Sequence, residues 1–248
     1  MSNCRGLILA AGRGSRMNNI TSTIPKCMVQ LGGRPMIDWQ LESLYQGGCS
    51  RVEIVKGYKS EKVKSDLTSY LNKRWESTNM VSSLFCAPPH EGDTVISYSD
   101  IVYNFRHIKE LMESHDDITV LADQNWRELW EARFENPLED AESFSFSNSE
   151  LLSIGDRAES IESIEAQFMG LLKVTNQGWF TMFDTFHSLS SDEQDNLDMT
   201  SLLQIMLSRE IKIGVRIICG GWCEADSGKD IELYERLLKT TNWSHDWR

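Results

Sequence analysis

The sequence has few of the features that mark linkers, secreted proteins or membrane spans. Its 248 residues include five prolines, and no Ser/Gly-rich stretch separates two halves, so we expect a single domain over residues 1–248. No apolar run approaches the ~18 residues of a membrane helix. The apolar stretch 7–11 is too short for the core of a signal peptide. The sequence therefore predicts a cytoplasmic protein that does not bind a membrane.

Positive charge and paired cysteines are scarce as well. There are 25 Lys and Arg residues against 37 Asp and Glu, which gives a net charge of −12. Such an acidic surface repels a phosphate backbone and disfavours nucleic-acid binding, although a local basic pocket for a small phosphorylated ligand is compatible with it. The six cysteines include no Cys-x-x-Cys pair, and no histidine lies near enough in sequence to complete a zinc motif, so we expect reduced, mostly buried thiols.

What the sequence does contain is an alternation of short apolar runs and helical periodicities. The predicted strands are 5–11, 52–56, 95–98, 118–122, 151–154, 168–174 and 213–219, and the predicted helices are 36–46, 60–71, 105–113, 200–208 and 231–238. This order predicts an α/β fold with a mostly parallel, Rossmann-like sheet and helices on both faces. We interpret 125–163 as a small acceptor-side insert that covers the carboxyl edge of the sheet, where ligands bind in open α/β sheets.

The strongest chemical signal is segment 9–17, Leu-Ala-Ala-Gly-Arg-Gly-Ser-Arg-Met, directly after the first predicted strand. Gly12 and Gly14 allow the backbone to approach a polyphosphate and to offer it N–H groups, and Arg13 and Arg16 add positive charge. The segment lacks the third glycine of the dinucleotide fingerprint and the Gly-Lys-Ser/Thr ending of the phosphate loop. Taken by itself, the segment is compatible with a phosphate-binding turn and also with an ordinary strand-to-helix turn that carries two surface arginines.

Two further segments follow in order, Pro25-Lys26 and Leu31-Gly32-Gly33-Arg34-Pro35-Met36. Together with segment 9–17 they resemble the signature of the nucleotidyltransferase family with the glycosyltransferase-A-like Rossmann-type fold. The resemblance implies that the glycine-rich turn holds a nucleoside triphosphate, that Arg16 and Lys26 neutralise it as catalytic residues, and that pyrophosphate is released. The nucleotide-binding residues it implies in this turn are Leu9, Ala10, Ala11, Gly12, Gly14 and Ser15.

Later segments resemble the cytidylyltransferase branch of this family. Segment 77–84 is similar to the stretch that contacts the pyrimidine in CTP-using members, which implies Asn79 and Ser83 as nucleotide-binding residues. Ser99-Asp100-Ile101 and the segment Trp222-Cys223-Glu224-Ala225-Asp226 resemble the places where the family keeps metal carboxylates. The resemblance thus implies Mg²⁺ as cofactor, held by Asp100 and Asp226. Without the resemblance, we would interpret Asp100 as a turn residue at the end of a strand and Asp226 as an acidic residue on the surface.

Segment 123–142 resembles the phosphonate cytidylyltransferases, and it supplies the candidate acceptor site. Trp126, Trp130 and Arg133 are four and three residues apart and share one helix face. In the functional interpretation Arg133 grips the phosphonate, the indoles wall its organic end, and Asp123, Asp140 and Glu142 bind an amine. The alternatives are amphipathic packing of the insert for the tryptophans and solvated charge on an acidic loop for the acids.

The resemblance implies a Mg²⁺-dependent enzyme that transfers CMP from CTP to a small phosphonate, 2-aminoethylphosphonate or 2-hydroxyethylphosphonate. Phosphocholine is the nearest alternative acceptor, and a sugar 1-phosphate is the next. The alternative to an enzyme is a catalytically silent homologue that binds a nucleotide. Phosphonate and phosphate acceptors are ionised near neutral pH and need no general base, in agreement with the lack of a histidine-based dyad. Trp243 and Trp247 are compatible with packing on a partner subunit of a homodimer or on their own domain.

Overall fold

A nine-stranded sheet with two short strand pairs beside it forms the centre of the fold. The computed structural model describes residues 3–17, 19–63 and 66–248. In chain order the strands are β1 (Arg5–Ala10), β2 (Gln30–Leu31), β3 (Arg34–Pro35), β4 (Arg51–Lys56), β5 (Thr68–Leu71), β6 (Thr94–Tyr98), β7 (Ile101–Tyr103), β8 (Ile118–Asp123), β9 (Glu142–Ser147), β10 (Glu150–Arg157), β11 (Gln167–Val174), β12 (Gly214–Ile218) and β13 (Trp222–Glu224).

The order of strands in the main sheet is β5-β4-β1-β6-β11-β8-β12-β10-β9. Parallel pairing joins β5, β4, β1 and β6, and also β8 and β12. Strands β11 and β10 run antiparallel to their neighbours on both sides. In the described residues, seven of the nine strands therefore point the same way, which confirms the prediction of a mostly parallel α/β sheet.

Helices cover both faces of this sheet. They are α1 (Met36–Gly47), α2 (Met80–Leu84), α3 (Phe105–Met112), α4 (Trp126–Arg133), α5 (Asn176–His187), α6 (Ser191–Asn196), α7 (Met199–Ser208) and α8 (Gly228–Leu237). Alternate residues of β1 belong to different apolar cores, Ile8 to the core beneath α1 and α3, and Leu7 to the core beneath α5 and α7. The longest helices have 12 residues, and in the described ranges no helix has the length and apolarity to cross a bilayer.

The predicted helix at 60–71 is wrong. A short 3-10 turn covers Ser60–Lys62, and β5 follows at Thr68–Leu71, paired in parallel with β4 from Glu53 to Lys56; residues 64 and 65 lie outside the described ranges. Apolar residues at 63, 67 and 71 repeat every four positions, which imitates a helix. A strand forms here because β4 has an open edge. Pairing with β5 satisfies the backbone N–H and C=O groups of β4, which a helix in this segment would leave unpaired.

Segment 125–163, predicted as an insert over the carboxyl edge, contributes α4, the edge strand β9 and its neighbour β10. Its division from the rest of the domain stays a prediction. Of the two arrangements left open for the C-terminal tryptophans, the structure has the intramolecular one. Trp243 stacks on Tyr234 with ring centroids 5.6 Å apart, and Trp247 meets the edge of Trp39 at 6.0 Å.

Candidate active site

The glycine-rich turn leaves the carboxyl end of β1 and wraps around the side chain of Lys26. Gly14 has a φ of +66°, and a Cβ at this position would lie 2.9 Å from Cδ of Lys26. A side chain at position 14 would therefore be strained by its backbone conformation and would also collide with Lys26. Gly12, in contrast, faces open space. The second glycine of the motif is thus needed for the lysine to reach the site, and the first leaves room beside the backbone.

Two carboxylates far apart in sequence meet at the end of the Lys26 side chain. Asp100 lies in the turn between β6 and β7, and Asp226 lies two residues after β13. Antiparallel pairing of β7 with β13 places Glu224 opposite Ile101, and the Ala225 N–H donates to the Asp100 carbonyl at 2.9 Å. Lys26 Nζ donates to Asp100 Oδ2 at 2.8 Å and to Asp226 Oδ1, and Arg16 Nη1 donates to Asp226 Oδ2 at 3.1 Å.

The charges in this cluster shift one another's pKa values. Burial lowers the pKa of Lys26, but Asp100 and Asp226 outweigh burial and hold the pKa above its usual value. Burial likewise raises the pKa of Asp226, but Lys26, with Arg133 and Arg16, brings it below its usual value. Lys26 and Asp226 are therefore both charged at neutral pH, and the cluster is a preorganised arrangement of opposite charges.

A third carboxylate, Glu224, makes the cluster suitable for a divalent cation. One oxygen each of Asp100, Glu224 and Asp226 lie within 4.8 Å of one another. Burial, followed by the carboxylate of Asp226, raises the pKa of Glu224 to about 8. Asp100 Oδ1 is buried and has no hydrogen-bond partner in the described residues, although buried carboxylate oxygens are normally paired. Hard oxygen ligands of this kind suit Mg²⁺, so the residues present fit the ion that the sequence implied.

The first of two adjoining cavities, here called the nucleotide cavity, lies over the carboxyl ends of β1 and β6. It is lined by Leu9, Ala11, Gly12, Gly14, Lys26, Trp75, Thr78, Asn79, Met80, Ser83, Tyr98, Ser99 and Asp100. The Asn79 side chain caps α2 by accepting from the Met80 N–H at 2.8 Å, and Ser83 Oγ accepts from Asn72 Nδ2 at 2.9 Å. Both side chains are thus fixed before any ligand binds.

Most of the residues predicted to bind nucleotide lie in this cavity. Ala10 and Ser15 do not: the Ala10 side chain is buried in the core because it alternates with Leu9 and Ala11 along the strand, and Ser15 is exposed at the start of a 3-10 turn. Trp75, Thr78, Tyr98 and Ser99 are additional lining residues. Thr78 and Ser99 lie inside segments that the sequence singles out, whereas nothing in the sequence distinguishes Trp75.

The second cavity, here called the acceptor cavity, lies beside the first. It is lined by Arg16, Met80, Tyr98, Trp130, Asp140, Glu142, Gln167, Phe168, Met169, Gly170, Asp198, Thr200, Trp222, Glu224 and Asp226. Three of the predicted acceptor residues, Trp130, Asp140 and Glu142, are among them, and Trp130 Nε1 donates to Asp140 Oδ2 at 3.1 Å. Asp198 adds a further acid from the start of α7, where its other role is to cap the helix by accepting from the Ser201 N–H at 2.7 Å.

The acids of the acceptor cavity crowd one another. The Glu142 side chain is exposed to the cavity. Its pKa is nevertheless raised to about 7, first because the surrounding protein removes part of its hydration and then because the carboxylates of Asp198, Asp140 and Asp156 lie nearby. Like charges held this close disfavour each other's ionisation unless a cation lies between them. The wall formed by Asp140, Glu142 and Asp198 therefore favours a positively charged group.

Asp123 and Trp126 lie outside both cavities. Asp123 is fully buried, and its oxygens accept hydrogen bonds from the Gly220 and Asn125 N–H groups at 2.9 Å and from Trp222 Nε1 at 2.8 Å. Trp126 is buried against Trp130, with ring centroids 5.9 Å apart. The structure thus gives Asp123 the task of fixing the turn before β13, and gives Trp126 a packing role, where the sequence predicted acceptor contacts.

Arg133 also differs from the expectation of a phosphonate contact. Its side chain is 1% exposed and lies behind the carboxylate cluster. Nη1 donates to Glu224 Oε2 at 3.1 Å, Nε donates to Asp230 Oδ1 at 3.2 Å, and Nη2 lies 3.8 Å from Asp226 Oδ2. The guanidinium therefore supports Glu224, at the end of β13, and Asp226, two residues later, and it does not line the acceptor cavity.

Among the acidic residues of the two cavities, Glu224 and Asp198 were not predicted as site residues. Glu224 lies in segment 222–226, which resembles a metal-binding region of the family, and it is two residues from Asp226, the spacing that places side chains on one face of an extended chain. That spacing was the available signal for Glu224. For Asp198 no local signal separates a cavity acid from an ordinary helix cap.

Comparison with protein families gives one domain match. Residues 6–158 match the MobA-like NTP transferase domain. This range includes the glycine-rich turn, Lys26, Asp100 and α4.

Among curated proteins, the chain is similar to two cytidylyltransferases. It is 33% identical over 246 residues to the CTP:phosphoglutamine cytidylyltransferase of Campylobacter jejuni, a match that covers 92% of this chain and 97% of that protein. It is 33% identical over 115 residues to the 2-aminoethylphosphonate cytidylyltransferase of Lancefieldella rimae, covering 41% and 45% of the two chains.

Solved structures share the whole fold. The inositol-1-phosphate CTP transferase of T. maritima superposes with a TM-score of 0.74 at 19% identity, covering 96% of this chain and 98% of that one. The CTP:phosphocholine cytidylyltransferase of Streptococcus pneumoniae superposes with a TM-score of 0.72 at 20% identity, covering 96% and 100%. At these identities the likeness establishes the fold.

Proposed function

Because the chain belongs to the MobA-like NTP transferase domain family, we propose that it is a cytidylyltransferase. In this proposal it transfers CMP from CTP to a small acceptor that carries a phosphoryl or phosphonyl group, and it releases pyrophosphate. The relatives that support CTP as the donor are the Campylobacter jejuni and Lancefieldella rimae enzymes.

One observation carries the proposal: the charged cluster lies at the border of the two cavities. Lys26 and Asp100 line the nucleotide cavity, whereas Arg16, Glu224 and Asp226 line the acceptor cavity. A nucleotide in the first cavity and an anion in the second would meet at this cluster. Bringing two anions together is the main obstacle to nucleotidyl transfer, so positive charge and positioning at the border are what the reaction requires.

The chemistry needs no general base in this chain. An ionised acceptor oxygen attacks the α-phosphorus of CTP, a P–O bond forms, and the bond from the α-phosphorus to pyrophosphate breaks with its electron pair leaving on the pyrophosphate. Lys26 and Arg16 would turn from their carboxylate partners towards the phosphate oxygens. Asp100, Glu224 and Asp226 would hold Mg²⁺, which when bound supplies further charge neutralisation.

For the acceptor, we propose a small molecule with an anionic phosphorus group at one end and an ammonium group at the other. The acids Asp140, Glu142 and Asp198 and the ring of Trp130 suit an ammonium. Phosphoglutamine is the first candidate, because the match to the Campylobacter jejuni enzyme extends over nearly the whole chain and so includes the acceptor side. 2-Aminoethylphosphonate is the second, on the shorter match to the Lancefieldella rimae enzyme.

The test is pyrophosphate release from CTP and Mg²⁺ with phosphoglutamine, 2-aminoethylphosphonate, 2-hydroxyethylphosphonate, phosphocholine and glucose 1-phosphate as separate acceptors. We expect release with an ammonium-bearing acceptor, and less with its hydroxyl analogue. The control omits Mg²⁺ and adds EDTA. Release with glucose 1-phosphate alone would contradict the acceptor class, and CTP binding with no release from any acceptor would favour the catalytically silent homologue.

A further inference from the structure

Tyr98 lies at the border between the nucleotide cavity and the acceptor cavity. It is the last residue of β6, two positions before Asp100, and its side chain lines both cavities. In the described part of the chain, Met80 is the other residue that lines both. Tyr98 therefore brings a polar group to the place where two substrates would meet.

The hydroxyl of Tyr98 is unlike those of the other five tyrosines. Tyr45 is 50% exposed, so its hydroxyl can donate to water. The four that donate to an acceptor within the chain are Tyr58, Tyr70, Tyr103 and Tyr234. Tyr98 is more buried than Tyr45, and its hydroxyl has no hydrogen-bond partner among the described residues. The hydroxyl oxygen is not among the buried unpaired atoms of the described residues, so it is accessible from the cavities that Tyr98 lines and can bind a ligand there.

The ring of Tyr98 is held firmly in place. Gln40 Nε2 donates to the Tyr98 carbonyl at 2.8 Å and to the Ile101 carbonyl at 2.5 Å, which fixes the backbone on both sides of Asp100. Gly170 has a φ of +76°, and a Cβ there would lie 2.6 Å from Cδ2 of Tyr98. The Phe168 ring packs edge-on at 5.9 Å. A donor fixed in this way needs no reorganisation when charge moves in front of it.

We infer that the Tyr98 hydroxyl donates a hydrogen bond to a phosphoryl oxygen at the point where the two substrates meet, and that Tyr98 is a catalytic residue of the transfer. This inference rests on the proposed function. As the acceptor oxygen bonds to the α-phosphorus and the bond to pyrophosphate breaks, Tyr98 keeps its proton and stabilises a non-bridging oxygen. A phenol is protonated at neutral pH, so it adds a donor without adding charge to a cluster that already contains Lys26 and Arg16.

The test compares Tyr98→Phe with the wild type, using the acceptor that the wild type turns over. Phenylalanine keeps the ring and its packing, so we expect an unchanged melting temperature and an affinity for CTP and Mg²⁺ within about twofold by calorimetry. We expect kcat to fall about 10- to 100-fold, because one hydrogen bond to a charged group is lost. Tyr103→Phe is the matched control. Its hydroxyl donates to Ser97 Oγ at 3.0 Å outside both cavities, so it should lower the melting temperature and leave kcat unchanged.

Three results would overturn the inference. The first is a Tyr98→Phe enzyme whose kcat and KM values stay within about twofold of the wild type. The second is a variant that loses stability and CTP affinity together, because that pattern belongs to a structural role. The third is a wild type that is inactive with every acceptor, which would remove the proposed function and this inference with it. The wild-type measurement is made first, so the two failures are distinguishable.

Discussion

The nucleotide cavity and the acceptor cavity are built from the sequence in different ways. The nucleotide cavity is lined by one continuous segment at the end of β1, residues 9–14, and most of its other lining residues come from the stretch 75–100. The acceptor cavity collects side chains from α4, β9, β11, α7 and β13, which are separated by long stretches of chain. A short motif can therefore reveal the first cavity, whereas the second exists only once the sheet and its edge strands are assembled.

The difference is clearest in the residues predicted for each. In the glycine-rich turn, the predicted phosphate-binding role follows from backbone freedom, which is a local property. In α4, the prediction that Trp126, Trp130 and Arg133 share a face is compatible with the structure, where all three are buried. That face is directed towards the core and the carboxylate cluster, and of the three only Trp130 lines the acceptor cavity. Spacing determines which residues share a face, but it does not determine what the face meets.

The largest effect is expected where the two cavities meet. Asp100→Asn removes one carboxylate from the group that would hold Mg²⁺ and one partner of Lys26. We expect pyrophosphate release to fall by about 10²- to 10³-fold or more, while CTP affinity measured without Mg²⁺ changes little. Asp116→Asn is the control, because Asp116 pairs with Lys212 on the surface and lines neither cavity. Turnover within about tenfold of the wild type would remove Asp100 from the mechanism.

The same Asp→Asn substitution at two positions, 123 and 140, distinguishes a structural role from a role in acceptor binding. Asp123→Asn places an amide where the carboxylate accepts three hydrogen bonds, so we expect the free energy of unfolding to fall by about 1–3 kcal/mol, measured by urea titration, with the acceptor KM within about threefold of the wild type. Asp140→Asn should do the opposite: stability stays near that of the wild type, and the KM for an ammonium-bearing acceptor rises about tenfold. A reversed pattern would return Asp123 to the acceptor site.

The smallest effect concerns pH. Because the pKa of Glu142 is raised to about 7, the group is protonated below that pH and becomes an anion above it. We expect the KM of an ammonium-bearing acceptor to fall by about two- to fivefold as the pH rises from about 6 to 8, beyond the change that ionisation of the acceptor itself causes. Glu142→Gln supplies that baseline, since it cannot ionise. Identical pH profiles for the two proteins would exclude Glu142 from acceptor binding.

Particular elements illustrate what the sequence could predict. The strands at β1, β4, β6 and β8 have short apolar runs that end in turn residues, and their predicted positions agree with the structure to within a residue or so. The 60–71 segment carries a helical repeat, yet its last four residues pair with β4 because an open strand edge is available there. Lys26 and Asp100 were identifiable from motifs, whereas Trp75 and Tyr98 reach the cavity only through the path of the chain around them.

The sequence by itself determined the turn chemistry, the alternation of strands and helices, and the charged residues that a phosphate-transferring site requires, because these depend on neighbouring residues and on side-chain type. Only the tertiary structure decided which carboxylates converge, since Asp100 and Asp226 meet through the pairing of β7 with β13. It also decided that Arg133 supports the carboxylate cluster, that Asp123 fixes the turn before β13, and that Tyr98 lies at the border of the two cavities. These roles depend on distances between segments far apart in sequence, which no local pattern specifies.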